Sequence, residues 1–120
     1  MTMTRHRVAD RDAIPADGDR LIVEVAGHEI GIFRVDGELH AIPNFCPHQA
    51  APLCQGRVTG RMAVADDGWE WRYVQEDEIV TCPWHGWKFE ISTGRNIKDD
   101  RYAVPTYDVH ETEDGIYVER

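Results

Sequence analysis

The sequence predicts a single, nearly all-β domain, and three observations support this fold class. Short apolar or alternating runs recur along the chain and are bounded by Gly, Pro and Asp clusters, which is typical of strands joined by turns. No segment keeps the apolar spacing of an amphipathic helix over three turns. The length of 120 residues suits one domain with its own core, and 42% hydrophobic with 29% charged residues is an ordinary globular composition.

The N-terminal part predicts a meander of short strands. The predicted strands span residues 5–8, 21–25, 29–35 and 39–42. Between the first two, the polar segment 10–15 predicts one helical turn that ends at its proline. Asp36-Gly37 is a strong hairpin signal, because both turn positions favour positive φ.

The middle of the chain predicts an added β-hairpin around the turn signal Asp66-Asp67-Gly68. Its two arms are residues 57–65 and 69–74, and the second arm alternates aromatic with charged side chains. The strand period places three aromatic side chains on one face, namely Trp69, Trp71 and Tyr73. Core packing is the favoured role of this face, and docking of a partner protein is the alternative.

The C-terminal part predicts further short strands separated by turns. The acidic run 75–78 predicts a solvated turn, and residues 96–102 form a polar, irregular segment. Turns are also predicted at residues 92–94 and 113–115. The predicted strands span residues 78–81, 88–91 and 116–119, and residues 103–109 alternate around Pro105.

Two short motifs supply metal-binding side chains. Cys46-Pro47-His48 has the spacing C-x-H, and Cys82-Pro83-Trp84-His85 has the spacing C-x-x-H. Together they offer two thiols and two imidazoles. This set can hold one tetrahedral zinc ion. It also suits a [2Fe-2S] centre in which two histidines replace two cysteines on one iron.

The residues around these motifs resemble the Rieske family. Residues 46–53 with Gly56 look like the first cluster loop of that family, and residues 82–89 look like the second. Many members have glycine where this chain has Ala50, and the interval between the two loops is longer than in compact Rieske ferredoxins. Neither departure removes a ligand.

The resemblance implies an architecture and a ligand set. The fold would be a Rieske-type antiparallel β-sandwich, with a base domain of residues 1–42 and 91–120 and an inserted cluster-binding subdomain of residues 43–90. A third loop, at residues 99–105, would cover the cluster. One [2Fe-2S] cluster would be held by Cys46 and Cys82 on the inner iron and by His48 and His85 on the outer iron.

The resemblance also predicts where the reduction potential lies. High-potential respiratory members carry serine and tyrosine hydroxyl donors after the second ligand histidine, whereas this chain has Trp87 and Phe89 at those positions. Their loops are joined by a disulfide at positions that are Ala51 and Trp84 here. We therefore expect a potential at the low end of the Rieske range, roughly −150 mV.

Cysteine usage and charge indicate the compartment and the excluded partners. Three cysteines do not form a disulfide framework, so a reducing compartment is expected, with Cys54 as a small buried thiol rather than a spare ligand.

The net charge of −9 argues against nucleic acid and anionic membranes as partners. An acidic surface suits a basic docking face, or serves solubility alone. No apolar run could span a bilayer and no secretory signal is seen, so the expected location is cytoplasmic.

The leading functional hypothesis is a Rieske-type ferredoxin. Such a protein is an electron carrier rather than an enzyme, and it passes single electrons from a flavin- or NAD(P)H-linked reductase to a terminal oxygenase component. One alternative is the small Rieske subunit of an assimilatory nitrite reductase, bound to a sirohaem-bearing large subunit. A further alternative is a structural zinc-binding module that uses the same four ligands.

Two enzymatic functions are disfavoured. An oxygenase catalytic unit needs a second iron held by two histidines and a carboxylate. The remaining histidines show no paired spacing; they are His6, His28, His40 and His110. No G-x-G-x-x-G loop is present either, so the chain has no visible means of accepting hydride and requires a separate reductase.

Overall fold

The computed structural model describes residues 5–47, 52–64, 71–83, 86–99 and 101–119. These residues form nine strands in three antiparallel sheets of three strands each, and a short 3-10 turn at Leu53–Gln55 is their one helical element. The predicted all-β fold class is therefore confirmed. The described part of the chain contains no helix with the length and apolarity needed to cross a bilayer.

The strands follow one another with short connections. In chain order they are β1 (Arg5–Ala9), β2 (Arg20–Val25), β3 (His28–Val35), β4 (Glu38–Pro43), β5 (Arg57–Val64), β6 (Trp71–Thr81), β7 (Lys88–Glu90), β8 (Val109–Thr112) and β9 (Gly115–Glu119). The sheet orders are β1-β9-β8, β2-β3-β4 and β5-β6-β7.

The central sheet is the predicted meander. Tight turns connect its strands, and Asp36 (φ 50°) and Gly37 (φ 81°) adopt the positive φ values expected of the hairpin signal. The segment predicted as one helical turn is instead a single hydrogen-bonded turn, in which the Ala13 N–H donates to the Asp10 carbonyl at 3.1 Å. Ile14 then leaves this turn and inserts its side chain fully into the core.

Two hydrophobic clusters hold the sheets together. The first lies between the β2-β3-β4 and β1-β9-β8 sheets and includes Ile14, Ile30 and Ile116. The second extends from the inner residues of β3 and β4, such as Phe33, to Phe89 on β7. It crosses the boundary that the sequence predicts between base domain and cluster-binding subdomain, and that division remains a prediction.

The predicted hairpin is present as β5 and β6, but one detail of the prediction was wrong. The acidic run 75–78 is not a turn, because it lies inside β6. Thr59 pairs with Ile79, whereas Arg61 pairs with Val74, so residues 75–78 bulge out of the ladder opposite Gly60 alone. Gln75 absorbs the distortion with a φ of 54°.

The aromatic face of this hairpin is only partly within the described residues. Trp69 lies outside them, and the structure describes the backbone but not the side chains of Trp71 and Tyr73. The choice between core packing and partner docking for this face therefore remains a prediction.

A buried arginine ties the outer sheet to the meander. The side chain of Arg34, on β3, is 11% exposed and makes a bidentate ion pair with Glu111 of β8, the shorter contact being 2.6 Å. The guanidinium also donates to the carbonyls of Ile14 (2.8 Å) and Gly37 (3.1 Å). The hydrogen bonds from Arg34 lower the pKa of Glu111 below its ordinary value of 4.5.

This ion pair makes stability depend on pH. Because the pKa of Glu111 is lower in the folded state, the stabilisation is present above the ordinary carboxyl pKa and is lost as the pH falls through the folded-state pKa. We expect Glu111→Gln to lower the free energy of unfolding near neutral pH by up to about 1 kcal/mol, since solvent screens part of the pair. Urea unfolding above and below pH 4.5 should show a weaker acid destabilisation in this variant than in wild type. Glu38→Gln, at an exposed position, is the control, and an equal acid dependence in all three proteins would contradict the prediction.

Candidate metal centre

Both predicted cysteine ligands are buried in one hydrophobic cluster. Cys46 follows the end of β4 and is 1% exposed, and Cys82 follows β6 directly and is 2% exposed. Leu53 and Phe89 belong to the same cluster and exclude water from it. All three cysteines of the chain are thiols in the structure. The two strands thus deliver two soft sulfur donors to a dry environment.

A buried asparagine fixes the start of the first loop. Asn44 is 8% exposed, and its side-chain amide donates to the Glu29 carboxylate at 2.9 Å while its carbonyl oxygen accepts from the Cys54 N–H at 2.8 Å. The backbone N–H of Asn44 also donates to the Glu29 carbonyl at 3.0 Å. Loop backbone has no ladder partners, so these bonds satisfy polar groups that burial would otherwise leave unpaired. The position of Cys46, two residues later, is set by this anchor.

The end of the first loop is held by an arginine from β2. Arg20 donates to the carbonyl oxygens of Cys54, within the 3-10 turn, and of Gly56, directly after it. Gly56 lies directly against the Thr81 carbonyl, and a Cβ at this position would overlap that oxygen. Only glycine lets the first loop pass so close to the residue that precedes Cys82, which ties the two ligand loops together.

The second loop is a closed turn. The Cys82 N–H donates to the Trp87 carbonyl at 2.7 Å, and the Gly86 N–H donates to the Cys82 carbonyl at 3.0 Å. Gly86 has a φ of 73°, in the left-handed region that favours glycine. The turn returns the chain to β7.

The third predicted loop contacts the second. Tyr102 packs edge-on against Trp87 with ring centroids 4.9 Å apart. The Ile97 N–H donates to the Lys88 carbonyl at 3.0 Å, and the Asn96 N–H donates to the Tyr102 carbonyl at 3.0 Å. The described residues of segment 96–102 are therefore fastened beside the second ligand loop.

The two predicted histidine ligands remain a prediction. His48 and His85 lie outside the described residues, as do residues 49–51 and Trp84. Within the described ranges, no group of three or more His, Cys, Asp or Glu side chains is arranged to hold a metal ion. The set of Cys46, His48, Cys82 and His85 therefore remains a prediction, of which the structure brings the two cysteines into one cluster.

Cys54 is the buried thiol that the sequence predicted. Its side chain packs against Gly31 of β3, where a Cβ would overlap the sulfur. Burial raises the pKa of the thiol to about 12. A metal ligand must be a thiolate, so this environment disfavours a ligand role for Cys54.

Several residues that shape the site were not predicted from the sequence. Asn44, Glu29 and Arg20 act through hydrogen bonds between elements that are distant in the chain. The one local signal was an asparagine shortly before a ligand cysteine, a position that is also common in ordinary turns.

Comparison with known proteins identifies the family. The model of the Rieske [2Fe-2S] domain matches residues 4–108. The chain therefore belongs to the Rieske [2Fe-2S] domain family, as the resemblance of its two loops predicted. Its cofactor is a [2Fe-2S] cluster. The buried thiols of Cys46 and Cys82 fit this cluster, because thiolates are the usual ligands of iron–sulfur centres.

Two relatives by sequence are ferredoxin components of oxygenase systems. The component shared by the naphthalene 1,2-dioxygenase and salicylate 5-hydroxylase systems of Ralstonia sp is 33% identical over 97 residues, which cover 81% of this chain and 76% of that protein. The alkene monooxygenase component of Xanthobacter autotrophicus is 28% identical over 91 residues, or 76% of this chain. The match spans 62% of the length of that second relative.

Two solved structures share the fold over nearly the whole chain. The ferredoxin of carbazole 1,9a-dioxygenase from Nocardioides aromaticivorans IC177 has a TM-score of 0.72 and 26% identity, with 96% of each chain covered. A protein assigned as the NADH-dependent nitrite reductase small subunit of Mycobacterium tuberculosis has a TM-score of 0.74 and 24% identity, covering 100% of this chain and 97% of that one. The second likeness shows the fold alone.

The different environments of the cysteines predict different effects of substitution. Cys82→Ser should lose most of the bound iron and acid-labile sulfide, because it removes a thiolate ligand. Cys54→Ala should retain both and lose only about 1–2 kcal/mol of stability, because it removes a buried sulfur that is not a ligand. Iron and sulfide analysis of the purified variants, with urea unfolding of Cys54→Ala, measures both effects. Full iron retention in Cys82→Ser, or iron loss in a folded Cys54→Ala, would contradict the assignment.

Proposed function

We propose that this chain is a Rieske-type [2Fe-2S] ferredoxin that carries single electrons from a reductase to the terminal component of an oxygenase. The observation that carries the proposal is the burial of Cys46 and Cys82 in one apolar cluster, at the two loops that match the family. The relatives in oxygenase systems support the choice of ferredoxin within that family. The reductase would be flavin- or NAD(P)H-linked, because the chain has no nucleotide-binding loop of its own.

The four proposed ligands are Cys46, His48, Cys82 and His85. A [2Fe-2S] cluster held in this way supplies reversible one-electron chemistry, at a higher potential than a four-cysteine cluster because neutral imidazoles replace two thiolates. The residues of the chain keep the two sulfur donors dry and in fixed positions. Asn44 and Arg20 anchor the first loop, and the turn closed at Gly86 fixes the second.

The environment of the second loop supports a low reduction potential. Phe89 is fully buried beside the site and carries no hydrogen-bond donor. Trp87 is half-buried and has its ring against Tyr102 and Phe89. Hydroxyl donors to cluster and ligand sulfurs raise the potential of Rieske centres, and neither side chain carries a hydroxyl group.

A second candidate is the small subunit of a nitrite reductase. It is favoured by the fold likeness to the Mycobacterium tuberculosis protein, which extends over the full length of this chain. Co-purification separates the two functions. Tight binding to a sirohaem-bearing large subunit would support the nitrite reductase, whereas transient exchange with a reductase would support the ferredoxin.

We also infer that the protein works in the cytoplasm. None of the three cysteines forms a disulfide, and Cys54 is a buried thiol in the core, as a reducing compartment favours. The remaining candidate, a zinc module, is separated from the ferredoxin by cofactor content. Anaerobically purified protein should be coloured, should contain iron and acid-labile sulfide, and should give an EPR signal on reduction, whereas zinc protein would be colourless and EPR-silent.

We expect a midpoint potential near the low end of the Rieske range, roughly −150 mV. The reason is the absence of hydroxyl donors at Trp87 and Phe89. A redox titration monitored by visible absorption measures it, and a clearly positive midpoint would refute the reasoning.

The histidine assignment has its own test. His85→Cys should retain a cluster but lower its potential, because a thiolate adds negative charge to the centre. His110→Cys, on β8 and distant in sequence from both loops, is the matched control and should leave the potential unchanged. A midpoint that does not move in His85→Cys would exclude His85 as a ligand.

A further inference from the structure

A cavity of about 360 Å³ lies beside the second ligand loop. Its walls come from that loop and the start of β7 on one side and from segment 96–102 on the other. The residues that matter for its chemistry are Gly86, Trp87, Lys88, Asn96, Lys98 and Tyr102. This cavity is called the lysine cleft below.

The lysine cleft concentrates positive charge on an acidic protein. The chain has a net charge of −9 and only two lysines, Lys88 and Lys98, and both line this cavity. The Lys88 ammonium donates to the neutral Thr81 hydroxyl at 3.2 Å, so this contact leaves its charge uncompensated. Asp99 also lines the cavity, but Arg101 holds its carboxylate in an ion pair with a shortest contact of 2.7 Å.

Exposed aromatic surface lies next to the same loops. Two large hydrophobic side chains are exposed among the described residues, Phe45 and Tyr102, each at 43%. Phe45 immediately precedes Cys46, and Tyr102 forms the rim of the lysine cleft. Aromatic side chains are enriched in the buried cores of protein–protein interfaces.

We propose that the lysine cleft receives an acidic side chain of the redox partner and thereby orients the partner over the second ligand loop. The cleft presents ammonium groups and an amide, which bind a carboxylate. Gly86 and Trp87 belong both to its wall and to the second ligand loop, so a partner held there sits beside that loop. The rest of the acidic surface repels an acidic partner, and the cleft is then the attractive point of approach. The exposed aromatic rim favours a protein surface over a free small anion, since it offers apolar contact area.

The inference rests on the proposed function. Oxidation by ferricyanide, a small anion, tests whether the cleft carries the positive charge that the inference requires. Ferricyanide takes one electron from the reduced protein and becomes ferrocyanide, and stopped-flow absorption gives the rate. Net charge alone predicts a rate that rises with salt. A basic cleft at the point of electron exit predicts a rate that falls by about two- to fivefold between about 20 and 200 mM salt.

Lys98→Glu and Arg11→Glu change the net charge equally, so comparing them shows whether the salt dependence comes from the cleft. Lys98→Glu should reverse the salt dependence, and Lys98→Gln should flatten it. Arg11→Glu, at an exposed position in the turn after β1, should leave a rate that still falls with salt. A wild-type rate that rises with salt, or equal behaviour of Lys98→Glu and Arg11→Glu, would overturn the proposal.

An acidic peptide tests recognition without electron transfer. N-acetylated tetraglutamate, activated as an ester on one carboxylate, acylates amines, and a neutral peptide ester of equal length is the reference. Mass spectrometry should show that the acidic peptide labels Lys88 and Lys98 relative to the N-terminal amine more than the neutral peptide does, with the excess lost at high salt. No excess would refute the cleft, and an excess abolished by inorganic phosphate at constant ionic strength would make it a small-anion site instead.

The ferricyanide and peptide experiments together separate this inference from the proposed function on which it rests. Protein without iron and sulfide that still shows the peptide excess would reject the ferredoxin and retain an acid-binding cleft. Protein with a reducible cluster would reject the cleft alone if it showed no excess labelling by the acidic peptide and the same salt dependence in Lys98→Glu as in Arg11→Glu.

Discussion

The structure depends on one steric constraint, the close packing of Gly56 against the carbonyl of Thr81. Cys46 and Cys82 are far apart in the sequence and come from different sheets, so a chain contact between their loops must fix their relation. A side chain at Gly56 would push the first loop away from the end of β6. Both cysteines belong to one continuous cluster, and separating the loops would open that cluster to water. In a wet, movable site, the two proposed thiolate ligands would lose the fixed geometry that a binuclear centre requires.

Side-chain hydrogen bonds satisfy backbone groups of the first loop that have no strand partner. The described part of the first loop contains only a 3-10 turn, and Cys54 in this turn is fully buried. The side-chain oxygen of Asn44 accepts from the Cys54 N–H, and Arg20 donates to the Cys54 carbonyl. Neither backbone group of Cys54 is therefore buried without a partner. The chain thus holds this loop with a side chain of β2 and with one that directly follows β4. The fixed conformation of the first loop therefore depends on the stability of the β2-β3-β4 sheet.

Local patterns predicted much of this molecule, and distant contacts account for what they missed. Asp36-Gly37 specified its hairpin because the signal is contained in two residues. The acidic run 75–78 has turn-like composition, but pairing on both sides kept it within β6 as a bulge, which composition cannot reveal. The two cysteines were predicted from motif spacing, whereas Arg20 and Lys98 acquire their roles only when separate elements meet.

Charge illustrates the same limit at a larger scale. Net charge is a sum over the chain and describes solubility and the long-range field, whereas docking depends on charges within about a Debye length, or about 10 Å at 0.1 M salt. The sequence gives −9, yet both lysines meet in one cleft beside the second ligand loop. An acidic carrier with a small basic point of contact avoids non-specific association over most of its surface. It is held long enough to transfer an electron only where that contact is matched, which is the balance that a transient redox complex needs.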